Sequence, residues 1–342
     1  VVTASALPEL SEVEQLIEEG GRHLQARVLC EVAAGSRRLP VHALLLGSDS
    51  MDVPAVGIFG GVHGLERIGA EVVIAFLRSL IKRLPWDSAL HEELQQLRLV
   101  IVPLVNPAGL SMGTRANASG VDLMRNAPID AVEAVPFMLG GQRLSARLPW
   151  YRGRRGRPME AESAALCGIV TEELLSRRFS LALDCHSGFG MLDRIWFPYA
   201  HTREPIPHLA EVHALRSIFC DAHAHHRYVF EPQSCQYLAH GDLWDHLYLE
   251  AQRRGRGLFL PLTLEMGSWL WIKKNPRQLL SRFGIFNPLI EHRQHRVLRR
   301  HMTLLDFFLH AAIAHPRWLP TGAARERHER QARALWYGDV AA

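Results

Sequence analysis

Four largely apolar runs punctuate the chain: Ala55 to Phe59, Leu97 to Val105, Phe179 to Leu183 and Leu258 to Leu264. Each is followed at once by glycine, by Asn-Pro or by an isolated polar residue. Runs this short, without the alternation of a half-exposed strand, suit strands covered on both faces. Between them lie segments with helical apolar spacing, Glu66 to Lys82, Glu160 to Arg177, Glu211 to Ala224 and Arg296 to His315. The opening predicts a helix over Leu10 to Gly20, then strands near Gln25 to Glu31 and Val41 to Leu46. The alternation predicts an α/β fold, three layers α/β/α around a central mixed, largely parallel sheet. No internal repeat or sharp boundary divides residues 1–342, so a single domain is expected. Its motif-bearing core runs from 55 to 267, a Pro-, Gly- and Arg-rich insertion loop spans Asn126 to Arg157, and a charged tail from about 321 to 342 reads as a solvated helix.

Composition narrows the class without naming it. The 342 residues carry 39 Lys+Arg against 35 Asp+Glu, a formal charge of +4, which is too small to argue for nucleic acid. Four arginines in Tyr151 to Arg157 read as a solvated loop or, less simply, as a patch for an acidic partner. No apolar run approaches the ~18 residues of a spanning helix, so no membrane partner is expected. The five cysteines form no C-x-x-C pair. With an acidic amphipathic Val1 to Glu19 instead of a signal peptide, they point to a cytoplasmic protein.

In open α/β sheets the ligand site lies outside the carboxyl ends of the strands. The residues that follow the four runs there are Gly60-Gly-Val-His63-Gly-Leu-Glu66, Asn106-Pro-Ala-Gly109, Asp184-Cys-His186-Ser-Gly188 and Glu265-Met-Gly267. Two histidines and one carboxylate make a catalytic zinc set, with a position left for water. His63 and Glu66 are three apart, hence neighbours on a helical turn, and His186 would complete the three. With 19 histidines in the chain, an H-x-x-E pair is expected about once by chance. His208-Leu-Ala-Glu211, with His213 nearby, has the same spacing but follows no strand, and reads as surface or loop histidines. On its context alone the His63 and Glu66 pair is either a ligand pair or an ordinary helix start.

Several motifs in order carry more weight than any one. Gly61-Val-His63-Gly-Leu-Glu66, Asn106-Pro-Ala-Gly109, Arg115-Ala-Asn117 through Arg125-Asn126, Pro158-Met-Glu160-Ala-Glu162, Asp184-Cys-His186-Ser-Gly188 and Thr263-Leu-Glu265-Met-Gly267 together resemble the zinc carboxypeptidases of the carboxypeptidase A type. The resemblance implies one Zn²⁺ per chain, held at His63, Glu66 and His186, with Glu265 as general base. It implies Arg115 as the oxyanion stabiliser and Arg125 as the residue that grips the substrate's terminal carboxylate. Tyr237-Leu-Ala-His-Gly241-Asp-Leu-Trp-Asp245-His-Leu-Tyr248 resembles the stretch whose first tyrosine is a mobile active-site residue, here Tyr237. The residue before its aspartate helps to shape the side-chain pocket; here it is Trp244, and no preference for a basic or acidic terminal residue is marked.

One departure stands out. The family's asparagine before the carboxylate-binding arginine is Met124 here, replacing an amide donor with a thioether. A hydrogen bond to a charged group is worth roughly 1.5 to 3 kcal/mol. Asn126, on the other side of Arg125, is a candidate to compensate.

The expected partner is therefore a peptide, cleaved at its C-terminal residue, with an N-acyl amino acid or a cell-wall peptide amide as the alternative that Met124 favours. A noncatalytic module using the Arg152 to Arg157 loop and a Cys185 nucleophile are the remaining readings. The second is disfavoured because neighbours on a strand point to opposite faces.

Overall fold

The structure is a computed structural model and describes residues 7–338. In chain order the elements are α1 (Pro8–Gly20), β1 (Gln25–Ala34), β2 (Arg37–Gly47), β3 (Ala55–Gly60), α2 (Arg67–Arg83), α3 (Ser88–Gln95), β4 (Arg98–Val102) and α4 (Pro107–Met112). There follow α5 (Ala161–Glu173), β5 (Phe179–Ser187), β6 (Arg194–Phe197), α6 (Leu209–Ala222), β7 (Val229–Pro232), α7 (Leu243–Arg254) and β8 (Leu258–Met266). The chain closes with α8 (Trp269–Lys274), α9 (Glu291–Ile313), α10 (His315–Trp318) and α11 (Gly322–Tyr337).

The strands form one eight-stranded sheet in the order β1-β2-β4-β3-β5-β8-β6-β7. Its centre, β4-β3-β5-β8, is parallel, and the antiparallel pairs are β1/β2, β2/β4 and β6/β8. The central strands are the apolar runs of the sequence, and they are buried almost throughout because helices cover both faces. Alternation sorts their side chains into two cores. Val56, Ile58, Leu181, Leu183 and Cys185 join α1, α2, α9 and α11 on one face. Phe59, Val100, Val102, Ala182 and Phe259 join α5 and α7 on the other. Three layers result, as the sequence predicts.

Three differences have physical causes. β6 and β7, at one end of the sheet, are only four residues long, too short for a periodic signal. The charged tail is a helix, but it is not merely solvated: α11 packs on α6, burying Ala332 and Trp336, and Trp336 Nε1 donates to the Phe230 carbonyl at 2.7 Å. The end of that predicted tail, 339–342, lies outside the described residues. His213, expected at the surface, is buried between α6 and α11, with its Nδ1 2.8 Å from that of His328. Among the described residues no helix is long and apolar enough to cross a membrane.

Candidate functional site

The carboxyl ends of β3, β5 and β8 deliver the polar residues to one place. After β3 the chain turns through Gly61 to Glu66, tied to the neighbouring turn by Asn106 N to Gly61 O (2.9 Å) and Asn106 Nδ2 to Val62 O (3.2 Å). Gly64 is required there, because a Cβ would meet the Gly109 carbonyl carbon at 2.0 Å. Glu66 occupies the N-cap position of α2 without capping it. Its carboxylate turns inward, and Asn287 takes over the capping: Asn287 Oδ1 accepts from Ile68 N at 2.9 Å while its Nδ2 donates to Leu65 O at 2.8 Å. A helix end is satisfied from more than 200 residues away so that the glutamate can serve elsewhere.

His63, Glu66 and His186 are the convergent group among the described residues, each buried, with one ligand atom apiece all within 4.8 Å of one another. Glu66 Oε1 lies 2.9 Å from His63 Nδ1 and Oε2 lies 3.1 Å from His186 Nδ1, and Oε2 also accepts from Ser187 N at 3.1 Å. The far nitrogens are held by two further carboxylates, His63 Nε2 by Asp122 at 3.1 Å and His186 Nε2 by Asp184 at 2.7 Å. Each carboxylate orients its ring so that Nδ1 faces the convergence point, the arrangement that metal-binding imidazoles require. The donor set therefore fits zinc: two imidazole nitrogens, one carboxylate oxygen and an open side.

Asp122 and Asp184 lie outside the residues that the sequence marks as a candidate site. A signal existed for Asp184, since Asp184 and His186 are two apart on β5 and share a face while Cys185 points away. Cys185 is buried in the opposite core, and burial, then the Asp184 charge, push its thiol well up, as an inert cysteine.

Electrostatics set the protonation of this group. Burial raises Glu66, but the His63 and His186 charges and hydrogen bonds outweigh it and hold the carboxyl below its usual range. Burial also opposes charge on His186, yet Asp184 and Glu66 hold it well above the ordinary imidazole value. Glu265 stands beside His186 in the β5/β8 register and lines the same cavity. Burial first, then the Glu66 charge, push it up to about 8 among the protein groups alone. Arg115 is anchored by Nε to Asp122 Oδ2 (2.8 Å) and by Nη1 to Glu66 Oε1 (3.1 Å).

The cavity holding these residues measures about 340 Å³. Arg125 and Tyr237 line it too, with Arg125 Nη2 3.4 Å from Tyr237 Oη and the guanidinium 5.8 Å from the ring centre. The Arg125 Nε is buried without a partner, so the fork has bonds left to make. Met124 also lines the cavity.

Two expected substrate residues are elsewhere. Asn126 faces away, donating to the Arg152 carbonyl at 3.0 Å and accepting from Glu160 N at 2.6 Å, so its amide is already spent holding the insertion loop. Trp244 does not line the cavity either. It is buried against Phe59, and its Nε1 donates to Asp184 Oδ2 at 2.9 Å, the same oxygen that holds His186. A tryptophan expected to shape a pocket instead supports a ligand from behind.

The arginine loop likewise divides. Arg152 is buried and bonded to Asp130 and to the Ile129 and Arg125 carbonyls, whereas Arg154, Arg155 and Arg157 are exposed. A second cavity of about 1000 Å³ lies beside them, but none of the convergent residues reaches it.

Comparison with known proteins agrees with this geometry. A model of the zinc carboxypeptidase family matches residues 21–268. Carboxypeptidase D of Anas platyrhynchos is 26% identical over 173 residues, 47% of this chain and 11% of that protein. The chain thus spans about a tenth of that curated relative. Among solved structures, carboxypeptidase A from Helicoverpa armigera aligns over 88% of this chain and 71% of its own with a TM-score of 0.65 at 17% identity. Thrombin activatable fibrinolysis inhibitor aligns over 91% and 76% with a TM-score of 0.66, also at 17% identity. At that identity the two structures establish the fold, while the family match, covering well over half of the residues, establishes kinship: this chain belongs to the zinc carboxypeptidase family.

Proposed function

We propose that this chain is a zinc-dependent hydrolase that releases the C-terminal residue of a peptide. The observation that carries the reading is that the His63, Glu66 and His186 donor set, Glu265, Arg115 and Arg125 all face one 340 Å³ cavity. His63 and His186 through Nδ1, with the Glu66 carboxylate, would hold the metal. Zinc bound there supplies a coordinated water of lowered pKa and polarises the scissile carbonyl.

The chain's own residues do the rest. Glu265 takes the proton from the attacking water and returns it to the departing amine. Arg115, fixed by Asp122 and Glu66, offers its remaining Nη2 to the developing oxyanion. Arg125, which lines the cavity, pairs with the terminal carboxylate, and Tyr237 stands against it.

Met124 beside Arg125 favours a second reading, removal of an acyl group from an N-acyl amino acid or cleavage of another amide by the same chemistry. The two separate on a peptide and its C-terminally amidated form. The carboxypeptidase reading expects amidation to lower kcat/KM by about ten- to a hundredfold, the worth of a charge-assisted pair. Equal rates on the two would overturn it in favour of the amidase.

A further inference from the structure

The insertion loop folds back on itself, and the hollow it makes is charged with one sign. Gln142 is bridged to Tyr151, with Gln142 N donating to the Trp150 carbonyl and Arg152 N to the Gln142 carbonyl, both at 2.9 Å. At this pairing the chain parts the two cavities. Trp150 lines the one that contains His63, Glu66 and His186, while Tyr151 and Arg152 line the other, of about 1000 Å³. That is room for a small molecule and not merely for an ion.

Four arginines, Arg143, Arg152, Arg154 and Arg157, line this hollow against one carboxylate, Glu160. Arg152 is already paired with Asp130 at 2.7 Å, and Glu160 Oε2 accepts from Asn117 at 3.0 Å. Arg143 is held by carbonyls, Nη1 donating to Gly153 O at 2.6 Å and to Arg152 O at 3.3 Å. Those bonds fix its guanidinium and leave its charge unmatched. Arg154 and Arg157 form no ion pair among the described residues.

The backbone selects which arginines face inward. Arg157 N donates to Arg154 O at 3.2 Å, closing a turn whose third residue, Gly156, supplies the positive φ of 75°. Arg154 and Arg157, the two ends of that turn, line the hollow, whereas Arg155 between them is exposed and does not. The crowding registers on a neighbour. Burial first, and then the Arg143 and Arg125 charges against the pull of Asp130, hold the Arg152 guanidinium below its ordinary value.

We propose that this hollow is a second ligand site, separate from the catalytic cavity, and that it takes a small molecule carrying phosphate groups. Guanidinium forks bind oxyanions through paired hydrogen bonds. A phosphate group offers three acceptor oxygens and about two negative charges, more than a carboxylate can, so it answers the unmatched Arg143, Arg154 and Arg157 more fully. Ser119 adds a hydroxyl at the wall, and Leu144 and Met159 give the rest of such a molecule an apolar surface. The site stands independently of the reaction assigned to the other cavity.

The test titrates the zinc-loaded full chain with pyrophosphate by calorimetry at fixed ionic strength, with zinc content measured before and after. Citrate serves as a carboxylate anion of comparable charge. The expected result is one saturable pyrophosphate site that depends on the loop, with citrate at least about tenfold weaker. Arg154→Ala and Arg157→Ala should each weaken pyrophosphate about ten- to a hundredfold, the worth of a charge-assisted hydrogen bond, while Arg155→Ala changes it less than about twofold. All three side chains are exposed and lie outside the catalytic cavity, so the variants should keep the zinc content of the wild type. Absence of pyrophosphate binding overturns the site, as does undiminished binding in the Arg154→Ala, Arg157→Ala double variant, which would put the anion at the zinc instead. An equal loss in Arg155→Ala overturns it too, in favour of a diffuse basic surface. Citrate binding as tightly as pyrophosphate overturns the assignment to phosphate.

Discussion

The two ends of the cavity are built on opposite terms. At the ligand end both nitrogens of His63 and of His186 meet carboxylates, and both Glu66 oxygens are engaged by two neighbours each. At the other end Arg125 keeps a buried Nε without a partner, its contact to Tyr237 is a long 3.4 Å, and Asp242 Oδ2 is free. The geometry of the first end is held by the protein's own groups. The second leaves hydrogen bonds to be made by the substrate, so binding energy there depends on what arrives. A fixed reaction centre beside a floor of unmet polar groups is what lets one chemistry be combined with a chosen substrate.

Removing the base should show the largest effect at the fixed end. Glu265→Gln preserves shape and zinc but removes proton transfer, and kcat should fall by about 10³ with KM nearly unchanged. Steady-state kinetics with zinc content measured in parallel checks this, and a loss that tracks metal content would mean the residue only shapes the site.

Trp244→Phe gives a smaller effect but a sharper contrast between the two ends. It removes the donor to Asp184 without emptying the core, so zinc affinity should fall about tenfold while the choice of terminal residue stays as in the wild type. Competition with a chelator reads the first and a peptide panel the second. A shift in selectivity at unchanged zinc affinity would return Trp244 to the pocket.

The difference between the ends also explains what could be read from sequence. Ligands at strand ends are set by local order: a buried strand, a glycine turn, then His63 and Glu66, or Asp184-Cys-His186 with period two. The parallel centre of the sheet was legible for the same reason, as apolar runs covered on both faces. The substrate end depends on how separate segments meet. Which residue at the start of α7 lines the cavity is decided by the packing of that helix on Phe59 and Asp184, and it is the N-cap residue Asp242 and not Trp244. Asn126 was adjacent to Arg125 in sequence but is drawn off by the insertion loop. Asn287, which frees Glu66 from capping α2, lies in a segment with no motif of its own. The packing of α11 was hidden because its few apolar residues, Ala332 and Trp336 among them, are scattered through a charged sequence.

The central claim is that the two imidazoles and Glu66 hold a metal, and metal content tests it most directly. Protein purified without an affinity tag, supplied with zinc and freed of excess, is measured by mass spectrometry beside His186→Ala. The account predicts close to one zinc per wild-type chain and a loss of nearly all of it in the variant. A wild type that retains no zinc, or a variant that retains as much, would contradict it.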